Sequence, residues 1–309
     1  MARISPQGAV YFDASTAPTT VRQPARRAGS ARGLRKEQFA EKMEVDQGLG
    51  LLQDGKFSGM MEACSRFSGC IWRGVADLLY PPRCACCGVD LPEPTEVWLC
   101  LECTDRLSAA GDLFCRRCGV WYHDETESLR SCVTCRRNRF HFDGVVSLGP
   151  YEGALRDAVL AMKRPPSDPL SVAVARLLTA QHHGALADFA PDFVVPVPMY
   201  WGRRIRRGTN SATVLADEIG RALGLPVADE LLRRKRNTLP QKDLSTKDRF
   251  RNVRGAFRLV GGYCIEDARV LVVDDILTTG ATCSEVAKTL KKAGAAAVSV
   301  MVVGRTGVA

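Results

Sequence analysis

The segment Val270–Thr282 reads VLVVDDILTTGAT, and its order of apolar, acidic and small polar residues decides the fold. The run Val270–Val273 has the length and β-branched content of a buried parallel strand. Asp274 and Asp275 follow it, and a helical pattern begins near Ala281 after a loop rich in Thr and Gly. The segment therefore predicts a strand, a loop and a helix of an open α/β sheet, in which ligands bind at the carboxyl ends of strands.

The loop after the two carboxylates has the composition of a phosphate-binding turn. A helix N-terminus favours an anion through its unpaired N–H groups and its dipole, and a glycine there lets the backbone approach a phosphate. Adjacent carboxylates repel each other, so bound ribose hydroxyls or a metal ion explain them better than an ordinary βα turn does. We predict a sugar-phosphate site in which Asp274 and Asp275 bind the ribose hydroxyls. The residues that would bind the phosphate are Thr278, Thr279, Gly280, Ala281 and Thr282.

Length and composition limit the class of protein. A chain of 309 residues can hold one large domain and a small one. No apolar run approaches the roughly 18 residues of a membrane span, so we expect none. The formal net charge of +9 suits an acidic partner, either a pyrophosphate-bearing substrate, a nucleic acid or both.

Eight of the 13 cysteines form four C-x-x-C pairs. The first and second pairs are separated by 12 residues and the third and fourth by 13, which is the spacing of a zinc ribbon. Two residues between thiolates let both reach one tetrahedral ion. Redox-active dithiols are the alternative, but four C-x-x-C pairs at ribbon spacing favour metal binding. We predict two structural Zn²⁺ sites, paired sequentially or else interleaved. Their ligands are Cys84, Cys87, Cys100, Cys103, Cys115, Cys118, Cys132 and Cys135.

Other residues of the cysteine module have expected roles of their own. Gly88 and Gly119 each follow the second cysteine of a pair, where a tight turn is needed. Cys86 has no partner at ligand spacing and is expected to be a spectator. Five arginines of the module could contact nucleic-acid phosphates or simply keep the surface solvated: Arg116, Arg117, Arg136, Arg137 and Arg139.

The N-terminal region lacks the apolar segment of a secretory signal, so we expect a cytoplasmic protein, in which clustered cysteines bind metal. Residues 1–58 include the basic run Arg22–Lys36 and predict a disordered or weakly ordered leader. A transit peptide or a start codon placed too far upstream are the alternatives. Residues 59–83 predict an amphipathic helix that Pro81 and Pro82 end.

Strand and helix patterns alternate after the cysteine module. They predict an α/β domain over residues 140–309, with a mostly parallel sheet and flanking helices, preceded by a double zinc ribbon at 84–139. The strands are expected at 145–151, 193–197, 256–260, 269–273 and 297–303, and the helices at 155–162, 170–182, 212–223 and 284–293.

Two basic segments are expected near the carboxyl ends of the strands. Residues 203–210 (RRIRRGTN) precede a helix, so the amides of Arg207–Gly208 could meet an anion, with an exposed basic turn as the alternative. Residues 233–252 are basic, weakly periodic and long for a simple connection, which favours a lid or mobile loop. Lys242 and Arg249 of this segment could neutralise a leaving pyrophosphate.

The order of motifs resembles the ComF/GntX family, and VLVVDDILTTGAT resembles the phosphoribosyl pyrophosphate (PRPP) signature of type I phosphoribosyltransferases. The double ribbon is followed by YEGALR (151–156), Lys163, VPVP (195–198), RGTN and DDILTTGAT. The resemblance implies a type I phosphoribosyltransferase-like fold that binds PRPP and Mg²⁺, with Lys163, Arg207 and Gly208 among the PRPP-binding residues. It also implies a link to DNA uptake in natural competence, with single-stranded DNA and the competence machinery as partners.

The implied reaction displaces pyrophosphate from C1 of PRPP through an oxocarbenium-like transition state. Catalysis would rest on positioning and on charge stabilisation, with Mg²⁺ bridging pyrophosphate and ribose oxygens. No residue reads as a general base for an acceptor, so the alternative is a PRPP-sensing or single-stranded-DNA-binding factor without turnover. The expected catalytic residues are Asp274, Asp275, Arg207, Lys242 and Arg249.

Overall fold

The computed structural model describes residues 3–4, 10–11, 82–108, 113–122, 132–164, 168–200, 210–236, 245–261 and 263–307. The chain divides into two units, Met1–Leu51 and Leu52–Ala309. In the first, β1 (Arg3–Ile4) pairs antiparallel with β2 (Val10–Tyr11). The rest of the expected leader, and the expected helix at 59–83 up to residue 81, lie outside the described residues.

The described part of the second unit begins with the cysteine module, and the described residues of this module include the short helices α1 (Leu101–Ser108) and α2 (Val133–Arg137). An alternation of strands and helices follows. In chain order its elements are β3 (Gly144–Pro150), α3 (Gly153–Ala161), α4 (Asp168–Gln181), α5 (His183–Phe189), β4 (Phe193–Pro196), α6 (Ser211–Leu223), β5 (Leu232–Arg234), α7 (Thr246–Val253), β6 (Phe257–Leu259), β7 (Arg269–Leu277), α8 (Ala281–Lys292) and β8 (Ala297–Arg305).

A four-stranded parallel sheet in the order β3-β8-β7-β4 lies at the centre of this unit. β7 is an inner strand, and its Val272 pairs with Val195 of β4 and Val300 of β8. These strands are apolar along most of their length because helices cover both faces of a parallel sheet. The sheet therefore confirms the predicted α/β class, and β5 and β6 form a separate antiparallel pair.

The two faces of the sheet are covered by different helices. Leu271 and Val273 of β7 belong to one buried cluster with residues of α3, α4 and α6. Residues of a strand alternate between faces, so Val270 and Val272 face the other side, where α8 packs against β7 and β8. No helix in the described ranges is long and apolar enough to cross a membrane.

The signature strand is longer than predicted. The expectation placed its end at Val273, but β7 continues to Leu277 because its pairing with β8 continues through Asp274–Val302 and Leu277–Arg305. Both carboxylates therefore lie inside the strand. The following helix begins at Ala281, as the helical pattern near that residue predicted, and thus three residues before the expected bounds of 284–293.

The expectation of a lid or mobile loop over residues 233–252 is wrong in one respect, because both described ends of the segment form regular structure. Its start belongs to β5, and its end forms α7. Ser245 caps α7, because its hydroxyl accepts a hydrogen bond from the Asp248 N–H at 3.3 Å. Residues 237–244, which include Lys242, lie outside the described residues.

Candidate metal sites and ligand site

The eight cysteines of the module gather into two groups, and the pairing is sequential rather than interleaved. In each group the four sulfur atoms lie within 4.8 Å of one another. Cys86 is exposed and belongs to neither group. Cluster 1 consists of Cys84, Cys87, Cys100 and Cys103, and cluster 2 of Cys115, Cys118, Cys132 and Cys135.

The turns that bring the cysteines together depend on two glycines. Gly88 and Gly119 adopt φ of +78° and +73°, a conformation that costs a residue with a side chain about 1–2 kcal/mol. Each donates its N–H to the first cysteine of its pair, at 2.8 Å to the Cys84 carbonyl and 2.7 Å to the Cys115 carbonyl. The predicted tight turns are thereby confirmed.

The donor set of each cluster fits a structural Zn²⁺ ion. Four thiolates at this spacing complete a tetrahedral shell and leave no open position for catalysis. The sulfur atoms already interact with one another: their shared hydrogen bond lowers the pKa of Cys115 and raises the pKa of Cys118. Binding of Zn²⁺ requires all four cysteines of a cluster as thiolates, so it is coupled to release of their protons.

Asp274 and Asp275 point to opposite faces of β7, as strand alternation requires. Asp275 Oδ2 lies 2.8 Å from Nζ of Lys163, which follows α3 on one face. On the other face Asp274 Oδ2 accepts a long hydrogen bond from the buried Cys283 thiol of α8, at 3.9 Å. The structure thus places Lys163, which the family resemblance implies as a PRPP-binding residue, beside Asp275, and it adds Cys283, which sequence reasoning missed.

The charge on Asp274 is unfavourable in the folded protein. Burial raises its pKa well above the usual range, and the neighbouring Asp275 carboxylate raises it further. The Asp275 N–H, which donates to Asp274 Oδ1 at 2.9 Å, and the Lys163 ammonium act in the opposite direction. A carboxyl group in this condition favours a ligand that donates hydrogen bonds or carries positive charge.

The loop between β7 and α8 has the geometry of an anion-binding turn. Gly280 caps α8 with φ of +78°, and a Cβ on it would lie 2.8 Å from Cε1 of Phe140. The Ala281 N–H contacts the Thr279 hydroxyl at 3.4 Å. The loop therefore presents the N-terminus of a 12-residue helix at the carboxyl end of a central strand.

A buried arginine that sequence reasoning missed closes the other side of this loop. Arg305 ends β8 and is 3% exposed. Its guanidinium donates to the carbonyls of Leu277, at 3.0 Å, and of Thr278. An arginine at the end of an otherwise apolar strand is the one sequence signal that could have indicated it.

The remaining predicted residues divide into those the structure describes and those it does not. Arg249 lies half-buried on α7, which packs against α8. Among the ribbon arginines, Arg117 has a structural role, since it donates to the carbonyls of Phe140, at 3.0 Å, and Phe142. Arg207 and Gly208 lie outside the described residues.

Comparison with known proteins agrees with this architecture. Residues 75–138 match the family model of the double zinc ribbon domain, and residues 167–307 match that of the phosphoribosyl transferase domain. The chain is therefore a phosphoribosyltransferase-type α/β protein with an N-terminal double zinc ribbon, in which the two cysteine clusters indicate two zinc sites.

Relatives with curated names identify the family. The chain is 31% identical over 202 residues to Competence protein F of Haemophilus influenzae, with coverage of 63% of this chain and 85% of that protein. It is 30% identical over 211 residues to DNA utilization protein YhgH of Escherichia coli K12, with coverage of 67% and 90%. The chain belongs to the ComF family, as the motif order indicated.

Solved structures with the same type of domain are more distant. A purine phosphoribosyltransferase from Pyrococcus horikoshii is 20% identical and covers 44% of this chain and 83% of its own, with a TM-score of 0.29. A likeness at this score adds nothing to what the family models establish.

Proposed function

We propose that the chain binds PRPP with Mg²⁺ and transfers its phosphoribosyl group to an acceptor with release of pyrophosphate. The observation that carries this proposal is the placement of Asp274, Asp275 and Lys163 beside the Gly280 loop, at the carboxyl end of β7. Membership of a family with a phosphoribosyl transferase domain supports it.

Each part of PRPP has a chemical counterpart in this site. The 5′-phosphate would bind the backbone and hydroxyl groups of residues 278–282, where the N-terminus of α8 favours an anion. The ribose hydroxyls would donate to the carboxylates of Asp274 and Asp275. A donated hydrogen bond stabilises the charged carboxylate, so sugar binding would offset the unfavourable ionisation of Asp274.

Lys163 would stabilise the negative charge of the leaving pyrophosphate. Its ammonium lies 2.8 Å from Asp275 and is the cation that the structure brings to the acidic pair. In the transition state, negative charge accumulates on the pyrophosphate oxygens while C1 becomes positive. An ammonium and carboxylates that are already held in place would stabilise these charges without reorganisation. Arg207, Lys242 and Arg249 remain proposed contributors.

Oxygen donors in this site suit Mg²⁺, which proteins commonly hold through one or two carboxylates together with substrate phosphates. The ion would neutralise pyrophosphate charge, and Asp274 and Asp275 are the residues of this site that could orient it.

Calorimetric titration with PRPP and Mg²⁺ tests the binding step. Asp275→Asn should weaken binding at least tenfold, whereas Asp267→Asn should bind as the wild type does. Asp267 is an exposed aspartate in the turn before β7, so the control removes the same charge from the opposite end of the strand. A wild-type protein that shows no binding would refute the proposal.

Pyrophosphate release, assayed with nucleobases, nucleosides and single-stranded DNA as acceptors, tests the transfer step. Release that depends on one acceptor class would support the enzyme and name its substrate. Tight PRPP binding without release for any acceptor would instead favour a PRPP-sensing protein.

Single-stranded DNA binding is a second candidate, favoured by a basic cleft of about 290 Å³ between residues 139–141, α7 and α8. The names of the relatives, which refer to competence and DNA utilization, point the same way. The cations that line the cleft are Arg139, Arg251, Arg254 and Lys288. The cleft also contains one acid, Glu285, and His141, whose pKa is lowered by burial and by the charge of Lys288.

The salt dependence of binding tests this second candidate. Replacing Arg254 by Ala should weaken single-strand binding and reduce the slope of log K against log salt by roughly 0.7. Arg258→Ala, which removes an exposed arginine of β6 outside the cleft, should leave the slope unchanged. Equal effects of the two variants would show that the cleft is not the binding surface.

A further inference from the structure

One buried side chain bridges cluster 2 and residues 278–282, the phosphate loop, between β7 and α8. Arg305 donates from Nε to the carbonyl of Cys118, at 3.0 Å, and Cys118 is a member of cluster 2. Its Nη1 donates to the carbonyls of Leu277, at 3.0 Å, and of Thr278, which begins the phosphate loop. One guanidinium therefore connects a metal-ligand turn to the backbone that would hold a phosphate.

A second contact reaches the other end of the loop. The ring of Phe140 lies against Gly280, so closely that a Cβ there would be 2.8 Å from the ring. Arg117, within the Cys115–Cys118 turn, donates to the Phe140 carbonyl at 3.0 Å. The same metal-ligand turn thus also holds the aromatic residue on which the loop glycine rests.

The turn itself is fixed against the sheet. A Cβ on Gly119 would lie 2.7 Å from Cγ1 of Val145 in β3, and the Val145 N–H donates to the Arg116 carbonyl at 2.9 Å. The turn therefore packs on β3 without a gap, at the same place where it holds Arg305 and Phe140.

We infer that cluster 2 positions the phosphate loop, with Arg305 as the positioning residue that connects them. Closure of the four sulfurs around an ion fixes the Cys118 carbonyl, that carbonyl orients the guanidinium, and the guanidinium holds the carbonyls of Leu277 and Thr278. The inference deepens the proposed function and rests on it in so far as the loop binds a phosphate of PRPP. Cluster 1 docks elsewhere, through the contacts of Arg176 with Trp98 and the Glu96 carbonyl.

The test compares Arg305→Met with Arg176→Met in the full chain. Both variants remove an arginine that connects a ribbon to the sheet domain. Arg176 contacts the ribbon of cluster 1 and Glu218, whereas Arg305 contacts the ribbon of cluster 2. Hydrogen exchange of the 277–283 amides reports loop order without any ligand, and calorimetry reports PRPP affinity. Arg305→Met should speed exchange in that peptide and weaken PRPP binding roughly tenfold while two zinc ions remain bound. Arg305→Lys should recover part of both effects.

Arg176→Met should lower the melting temperature yet leave loop exchange and PRPP affinity as in the wild type. This control separates positioning from general loss of stability. Unchanged loop exchange in Arg305→Met, or an equal change in Arg176→Met, would overturn the inference.

A metal arm tests the same coupling from the other end. Cys135→Ser should lose one zinc ion and show the loop exchange of Arg305→Met, and its effect should exceed that of Cys87→Ser in cluster 1. Equal loop exchange in these two variants would also overturn the inference. If Cys135→Ser does not fold, the comparison of Arg305→Met with Arg176→Met alone decides whether Arg305 positions the loop. If the wild type binds no PRPP, the proposed function fails, but hydrogen exchange still decides whether Arg305 positions the loop.

Discussion

The two ribbons have the same cysteine pattern and the same glycine turn, and both contact β3, but their other contacts with the sheet domain differ. Leu99 and Leu107 of the first ribbon join the buried cluster that contains α3 and α4. The second ribbon lies on β3 and reaches the candidate ligand site through Arg305 and Phe140. One ribbon extends the hydrophobic core, and the other borders the site.

This difference shows that a metal-binding motif does not determine its own role. Each ribbon is too small to form an adequate apolar core, so the metal supplies much of its folding free energy. What each ribbon contributes beyond its own folding depends on the side chains at its surface. The predictions below compare matched residues of the two ribbons.

The largest effects should follow loss of a metal ligand. Cys84→Ser and Cys118→Ser each remove one buried thiolate, and a structural zinc site contributes on the order of 10 kcal/mol to the folding of its module. Each variant should retain one zinc ion of two, measured by atomic spectroscopy, with a lower melting temperature. Loss of both ions from either variant would show that the ribbons fold as one unit, and the comparison would no longer hold.

The turn glycines should respond unequally to the same substitution. Gly88→Ala should cost only the strain of its positive φ, about 1–2 kcal/mol, because no atom lies within 4 Å of a Cβ there. Gly119→Ala adds a clash with Val145 and should cost about 1–3 kcal/mol more. Chemical denaturation at saturating zinc measures both. Equal costs would mean that the second turn can move away from β3.

Arginines of the two ribbons provide a smaller contrast. Arg117→Ala removes hydrogen bonds to the carbonyls of Phe140 and Phe142 and should cost about 1–2 kcal/mol. Arg83→Ala removes an ion pair with Asp90 at 2.9 Å whose side chains are both exposed, and should cost less than about 0.5 kcal/mol. The same denaturation measurement applies, and a larger cost at Arg83 would contradict the assignment of Arg117 as a docking residue.

The sequence predicted the parts of the fold whose signal is local. β4, β7 and β8 are apolar runs because strands buried on both faces need apolar residues throughout, and α8 follows from its helical periodicity. The cysteine clusters could be predicted because the spacing of metal ligands within each C-x-x-C pair involves only a few neighbouring residues. The acidic pair and the glycine loop are contiguous, so the centre of the candidate site could also be predicted.

Features that depend on distant contacts could not be predicted. α7 is rich in charged residues, and its packing against α8 stabilises a segment whose polarity favours a loop. Arg305 is 187 residues from Cys118, and neither residue carries a local sign of the other. Asp274 and Asp275 face opposite sides because both lie within β7. This follows from how far the pairing of β7 with β8 extends, which the local sequence does not show.

The smallest expected effect concerns the site that the second ribbon borders, where a substitution should stabilise the protein. Burial and Asp275 raise the pKa of Asp274, so the folded state binds its proton more tightly than the unfolded chain does. Stability is therefore lost as pH rises from the unfolded pKa of about 3.9 through the raised folded pKa, and the full penalty is present above it.

Asp274→Asn removes this penalty while keeping an oxygen that can accept from the Asp275 N–H. The variant should melt higher than the wild type at pH 8, by roughly 2–4 °C for each kcal/mol recovered, and the gain should shrink towards pH 5.5. Asp267→Asn is the matched control: it removes an exposed carboxylate from the turn before β7 and should show no pH-dependent gain. A melting temperature for Asp274→Asn that is lower at every pH would show that the carboxylate stabilises the fold. In that case Asp274, near the second ribbon, would have a structural role. The idea that its burial costs stability because the residue binds a ligand would then be wrong.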